Sequence, residues 1–426
     1  MHAIAHRVET SLAAAAAAAA LVFVPAGSPS TLAREPVFVP LRIDGPTHDP
    51  AKGTFWYGPF SEGSAFLDVN GDGKLDITCG ANWYENPTWK KHADFRPHAT
   101  IHGEFVNNCG EVPVDVNGDG RMDLVSAGWM ASGVYWYENP GEVDVPWAAH
   151  KIIDSEWTEG FIVEDVDGDG DLDILPNHWA YKEGQGFTWL EKVEGPRFVP
   201  HVLGKEGDAH GTGIGDLNGD GRKDFVTPAG WWEAPENRAR GSWKFHADFQ
   251  LPGAGSIRIV VHDVNGDGRA DLIHGNAHGY GLWYEEQLPP EGGKLRFREH
   301  LICDQHGQYH TLVLADVDQD GTLDLLTGKR LRGHNDGDDS SFDPLGVYWF
   351  EIAGGKFVRH VLSYNHLFRY EPTETHNPAP NGAIGTGMNI SVADVTGDGK
   401  VEILVSGKSG CYLFVNRGLP PTKKMR

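Results

Sequence analysis

The sequence is short of positive charge, of cysteine and of long apolar runs. Its 426 residues carry 36 Lys and Arg against 60 Asp and Glu, a formal net charge of −24. A nucleic-acid partner needs a basic face, so that class is excluded. The four cysteines, Cys79, Cys109, Cys303 and Cys411, are scattered and form no CxxC pair. That excludes a zinc ribbon and a dense disulfide scaffold, and leaves open whether Cys79 and Cys109 pair. The one long apolar run, Leu12 to Val24, is too short to span a bilayer comfortably, so the chain is not expected to cross a membrane. The run follows Arg7 and precedes Ala26, Gly27 and Ser28, the layout of a secretory signal. Residues 1–33 are therefore expected to be a signal peptide, and the protein to be exported to the periplasm or the extracellular space.

Glycine (55) and tryptophan (14) are plentiful, and one nine-residue motif occurs seven times. It reads DVNGDGKLD from Asp68, DVNGDGRMD from Asp115, DVDGDGDLD from Asp165 and DLNGDGRKD from Asp216. It continues as DVNGDGRAD from Asp263, DVDQDGTLD from Asp316 and DVTGDGKVE from Asp394. The first five spacings are 47 to 53 residues and the last is 78. A period near 50 suits a four-stranded propeller blade. Strand-length apolar runs flank each motif, so the motif closes a β-hairpin. An aromatic third strand follows, as in Val134-Tyr-Trp-Tyr-Glu138. A fourth carries a histidine: His92, His150, His201, His246, His300 or His360. These six are expected to be structural, each bonding a backbone group. Phe38–Ile43 has the fourth-strand pattern with Leu41 at the histidine position, and no fourth strand follows the last third strand. The N-terminal strand thus completes the last blade and removes the open edge. The fold expected is all-β, a seven-bladed β-propeller over residues 35–418, with 419–426 as a tail.

The motif D-x-[DN]-x-D-G-x-x-D sets oxygen atoms at loop positions 1, 3, 5 and 9, with a carbonyl at 7. Calcium takes six to eight such hard ligands, and glycine at position 6 permits the turn. The expected ligands are Asp68, Asn70, Asp72 and Asp76 in the first loop, and Asp115, Asn117, Asp119 and Asp123 in the second. Asp165, Asp167, Asp169 and Asp173 follow in the third, then Asp216, Asn218, Asp220 and Asp224 in the fourth. The fifth has Asp263, Asn265, Asp267 and Asp271, the sixth Asp316, Asp318, Asp320 and Asp324, and the seventh Asp394, Asp398 and Glu402. Up to seven structural Ca²⁺ ions are expected. They would bring −24 to about −10. An EF-hand is rejected, because the flanks are strands and position 12 of the first loop is Cys79.

These loops and strands resemble the FG-GAP/VCBS family of calcium-binding propellers, which implies the same fold. More narrowly, HGTGIGDLNGDG (His210–Gly221), GWWEAP (Gly230–Pro235) and WYENP at 83–87 and 136–140 resemble the propeller of aldos-2-ulose dehydratase. That resemblance implies elimination of water from an oxidised sugar, 1,5-anhydrofructose. The enzyme's cupin domains have no room here, which puts any isomerase activity in doubt.

Counting back about six residues from each loop Asp places Glu62, Cys109, Glu159, His210, Ile257, His310 and Met388 around one channel mouth. A structural position would repeat one residue type. These differ, as a site requires. Two carboxylates and two histidines there suit Zn²⁺ or another divalent ion, or acid–base work. Second strands end at the same rim with Trp83, Trp129, His178, Trp179, Trp231, His278, Lys329 and Arg330. Insertions at Arg332–Asp339 and Tyr364–Asn381, the latter with His376, are expected to wall a pocket.

The expected activity is a lyase acting by β-elimination on an oxidised or keto sugar. His210 or His310 would be the base, Glu159 and His178 ligand or acid, and Lys329 or Arg330 the carbonyl clamp. Glu62, Trp83, Trp129, Trp179, Trp231, His278 and His376 would bind the sugar. The alternatives are a non-catalytic glycan- or protein-binding propeller and a polysaccharide lyase on uronic acid polymers.

Overall fold

The computed structural model describes residues 35–45, 61–98, 101–102, 105–128, 133–154, 158–178, 186–207, 209–253, 255–331, 337–341, 343–365 and 383–420. The expectations for residues 1–33, Trp129, Trp179, His376 and most of both insertions lie outside them.

Seven four-stranded antiparallel sheets make a ring, a seven-bladed β-propeller. Blade one runs outward from Ser64–Leu67 through Asp76–Cys79 and Asn82–Glu85 to Lys90–His92. Blades two to six repeat that order. Blade seven takes its three inner strands from Ile390–Ala393, Glu402–Gly407 and Gly410–Asn416, and its outer strand from Phe38–Asp44. Phe38 opposes Asn416 and Leu41 opposes Leu413. The seam is therefore closed by the two ends of the folded chain, as the strand pattern implies. Among the described residues no helix is long and apolar enough to cross a membrane.

Each Asp at loop position 9 is buried, and five of the six satisfy two backbone groups, Asp324 accepting only from Val317 (2.9 Å). Asp76 accepts N–H bonds from Val69 (3.1 Å) and Asn86 (2.8 Å). Asp123, Asp173, Asp224 and Asp271 repeat both bonds. These carboxylates tie the hairpin loop to the third strand. Burial raises Asp76 and Asp123 to about 6, and Asp173 and Asp224 to about 7.

The six outer-strand histidines are structural, but their partners are not backbone groups. Each reaches a glutamate on the third strand, at 2.6–2.9 Å for His92–Glu85, His150–Glu138, His201–Glu191, His246–Glu233 and His300–Glu286. His360 lies 3.6 Å from Glu351. Each ring also stacks on an aromatic two residues before that glutamate, Trp83, Trp136, Trp189, Trp231, Tyr284 or Trp349, with centroids 3.9–5.1 Å apart. Residues i and i+2 of a strand share a face, so one histidine meets both. Blade seven lacks this staple: Leu41 pairs with Leu413, and Val415 stands at the glutamate position.

Candidate active site at the channel mouth

The inner strands begin at the end of the ring away from the loops. Main-chain bonds link neighbouring blades there, from Ile257 N–H to the His310 carbonyl (2.7 Å) and from Met388 N–H to the Glu62 carbonyl (2.6 Å). Arg330 follows the second strand of blade six, Asp324–Gly328, and is 3% exposed. Its Nε and Nη2 donate to the two oxygens of Glu62 at 2.7 and 2.8 Å. Its Nη1 donates to Glu159 Oε1 at 2.9 Å and to His310 Nε2 at 3.0 Å. One guanidinium thus joins blades three and six to the segment before blade one. Lys329 and Lys408 are fully buried beside it, and Lys408 Nζ lies 3.9 Å from Glu62.

Burial alone would raise the Glu159 carboxyl, but the Arg330 charge, with His210, holds it well below the usual carboxylate range. Burial and Arg330 push His310 well down, so its imidazole is neutral.

Three imidazoles meet beside this ion network. His210, His278 and His310 each offer a ligand atom within 4.8 Å of the others. Their Nδ1 atoms face oxygen acceptors: the Gly255 carbonyl for His210, Asp338 Oδ2 at 3.2 Å for His278, and the Gln308 carbonyl at 3.4 Å for His310. An N–H at Nδ1 leaves the lone pair of each ring on Nε2. His210 Nε2 lies 3.2 Å from Glu159 Oε2. A lone pair facing a carboxylate is repulsive unless a proton or a cation lies between them. Holding Nδ1–H on an oxygen is how proteins orient metal-binding histidines. The residues present therefore fit a divalent ion, with His210, His278 and Glu159 Oε2 as donors, while His310 Nε2 is engaged by Arg330.

Several expectations change here. His310 is a poor base, because its Nε2 accepts from Arg330 and that charge opposes protonation. Glu62 is held by Arg330 on both oxygens and is fully buried, so it anchors the arginine rather than a sugar. Trp83 and Trp231 are 1% and 4% exposed and stack on His92 and His246 inside their blades. Neither offers a sugar platform. His278, expected only to bind substrate, stands among the three imidazoles. His178 ends the second strand of blade three, Asp173–His178. Asp338 was not singled out from sequence. Its signal was a long acidic insertion beside a rim histidine.

At the opposite end the loops divide. Arg121, Arg222, Arg269, Lys74 and Lys400, all at loop position 7, bond the loop's own position-5 carboxylate, Asp119, Asp220, Asp267, Asp72 and Asp398. Loops three and six have Asp171 and Thr322 at that position. In these two alone among the described residues, three loop carboxylates cluster: Asp165, Asp167 and Asp173, and Asp316, Asp318 and Asp320. In loop six the buried Asp316 Oδ1 and Asp324 Oδ1 have no hydrogen-bond partner. Loops three and six thus fit a hard cation best.

The fold is that of a seven-bladed β-propeller. An FG-GAP-like repeat is matched at residues 115–175, in blades two and three. A search of curated proteins finds no match. Solved structures similar to the chain include the V. cholerae biofilm matrix protein Bap1, at 12% identity over 82% of this chain and 77% of that one, TM-score 0.34. Another is an auxiliary nutrient binding protein from Bacteroides ovatus, at 9% identity over 81% and 84%, TM-score 0.43. A third is the exotype rhamnogalacturonan lyase YesX, at 12% identity over 90% and 76%, TM-score 0.44.

Proposed function

We propose that the channel mouth is the centre of a carbohydrate lyase that eliminates the α-proton and the β-substituent of an oxidised sugar together as water or an alcohol, leaving an enone. The observation that carries this reading is the cluster of three imidazoles, each with Nδ1 on an oxygen, which makes Nε2 the lone-pair atom of each ring; His310 turns that atom to Arg330, while His210 turns it to Glu159. His210, His278 and Glu159 would hold a divalent ion such as Zn²⁺, with His310 packed beside them on Arg330. When bound, the ion would polarise the sugar carbonyl and stabilise the enolate. Asp338, Gly255 and Gln308 keep the rings in one tautomer. Arg330, immobilised by Glu62 and Glu159, adds a permanent positive charge that needs no reorganisation during the reaction. The resemblance of His210–Gly221 and Gly230–Pro235 to the propeller of aldos-2-ulose dehydratase points to the same reaction class. Structural Ca²⁺ in the hairpin loops and export through residues 1–33 complete the proposal.

The test is metal analysis of the purified protein, followed by mixing with 1,5-anhydrofructose or 3-keto glycosides while enone absorbance is followed. His278→Ala should lose both the mouth ion and turnover while keeping the folded spectrum. A wild-type protein that holds no ion beyond Ca²⁺ and yields no enone would sink the lyase reading.

A further inference from the structure

One residue below the mouth, the inner strands present Gly63, Gly110, Gly160, Gly211, Arg258, Thr311 and Asn389. Three of the four glycines sit where neighbouring segments close in: a Cβ at Gly63 would sit 2.5 Å from the Gly110 carbonyl carbon, one at Gly160 2.5 Å from Ile257 Cγ2, and one at Gly211 2.9 Å from the Ser256 carbonyl oxygen. Arg258 is thus the only charged side chain at this level of the ring. Its backbone pairs with Thr212 of blade four in an isolated bridge. Its side chain makes no hydrogen bond and no ion pair with any described residue.

Solvent reaches Arg258, yet the surrounding protein is dense enough for desolvation to lower its pKa. Its exposure and its register one residue below the mouth put the guanidinium on the solvent of the central channel. The one charge that acts on it is Glu164 on the inner strand of blade three, Thr158–Glu164. Glu164 is already paired with Lys223 at 2.7 Å. His262, at the end of the strand Val260–His262 that follows Arg258, is pushed toward its neutral form by burial. No described residue therefore forms an ion pair with Arg258, and the carboxylate that acts on it is shared with Lys223. A guanidinium with five donors, held in a confined channel without a partner, is a receptor for a carboxylate or another oxyanion.

We infer that Arg258 binds the anionic group of the ligand that occupies the mouth, so that the oxidised sugar is a sugar acid rather than a neutral ketose. This rests on the lyase reading for its substrate, but not for the anion site itself.

The experiment is calorimetric titration of the full chain with galacturonate, galactose, sodium acetate and sodium phosphate, repeated with Arg258→Met. Galacturonate should bind about tenfold or more tightly than galactose. Arg258→Met should erase that preference while leaving galactose binding and the melting temperature unchanged. Acetate and phosphate binding as tightly as galacturonate, and lost in Arg258→Met, would uphold the anion site and reject the sugar acid as its source. Equal affinity for galacturonate and galactose, or a preference that survives Arg258→Met, would overturn the inference. His278→Ala separates the two ideas, since loss of turnover with anion binding intact leaves Arg258's role standing whatever the chemistry at the mouth.

Discussion

The two ends of the inner hairpins obey opposite rules. At the loop end, seven blades repeat one solution: an Asp that gathers the loop's N–H groups, a glycine turn, and a buried carboxylate at position 9, which every described blade but the sixth ties to the third strand. At the mouth, the corresponding positions carry Glu62, Cys109, Glu159, His210, Ile257, His310 and Met388, and four of them, Glu62, Glu159, His210 and His310, are joined across the ring through Arg330 and Glu159 instead of within a blade. Repetition marks what each blade needs to fold by itself. Variation marks what the ring holds in common. A second contrast lies within the loops, where five are neutralised by their own Lys or Arg and two are not.

The comparison can be broken most forcefully at Arg330. Arg330→Met would leave Glu62 and Glu159 buried without their cation, and should cost about 3–5 kcal/mol in a urea titration. A loss near zero would mean that the mouth does not brace the ring. Chelation addresses the loop end: calcium removal should lower the melting temperature, and Asp320→Asn should delete one tight site from a calcium titration. The matching change in blade four, Asp220→Asn, should delete none, because Arg222 already occupies that carboxylate. Equal effects would erase the distinction between the loops.

The outer staples come next. His246→Ala should cost about 1–2 kcal/mol from the lost stack on Trp231 and the bond to Glu233. In blade seven, Leu41→His should not stabilise, because Val415 offers no carboxylate. The smallest effect concerns His306, which is stacked on Tyr348 and receives an Arg359 N–H at 3.0 Å. Burial, helped by the Arg359 charge, lowers it to about 4. An unfolded histidine binds its proton near 6.5. Between those values the unfolded chain holds more protons, so stability falls as pH drops through that window. His306→Gln should flatten this part of the melting profile by a small margin.

The blade count, the closing strand and the loop chemistry were legible because they repeat, and a period of about 50 residues carries its own register. The mouth was only half legible. Counting from each loop Asp brought Glu159, His210 and His310 to one ring, since strand length is nearly constant. It could not show that Arg330 would consume Glu62 and the lone pair of His310, because that contact joins residues 268 positions apart. Trp83 and Trp231 were misread for a related reason: an aromatic near the end of a strand has the same sequence signature whether it faces solvent or lies under a histidine. Asp338 lies in an insertion with no counterpart in other blades, so no register reached it.

The closing strand also fixes an order of events. Phe38–Asp44 is synthesised before any blade, yet its partner Gly410–Asn416 is the last strand made. Throughout synthesis the earliest segment has no sheet to join, and the growing arc of blades keeps two raw flanks. Assembly therefore finishes with a single long-range zippering step whose loss frees both flanks at once. The molecule should come apart under mechanical load at that seam, where apolar Leu41, Leu413 and Val415 replace the histidine clasp of every other blade.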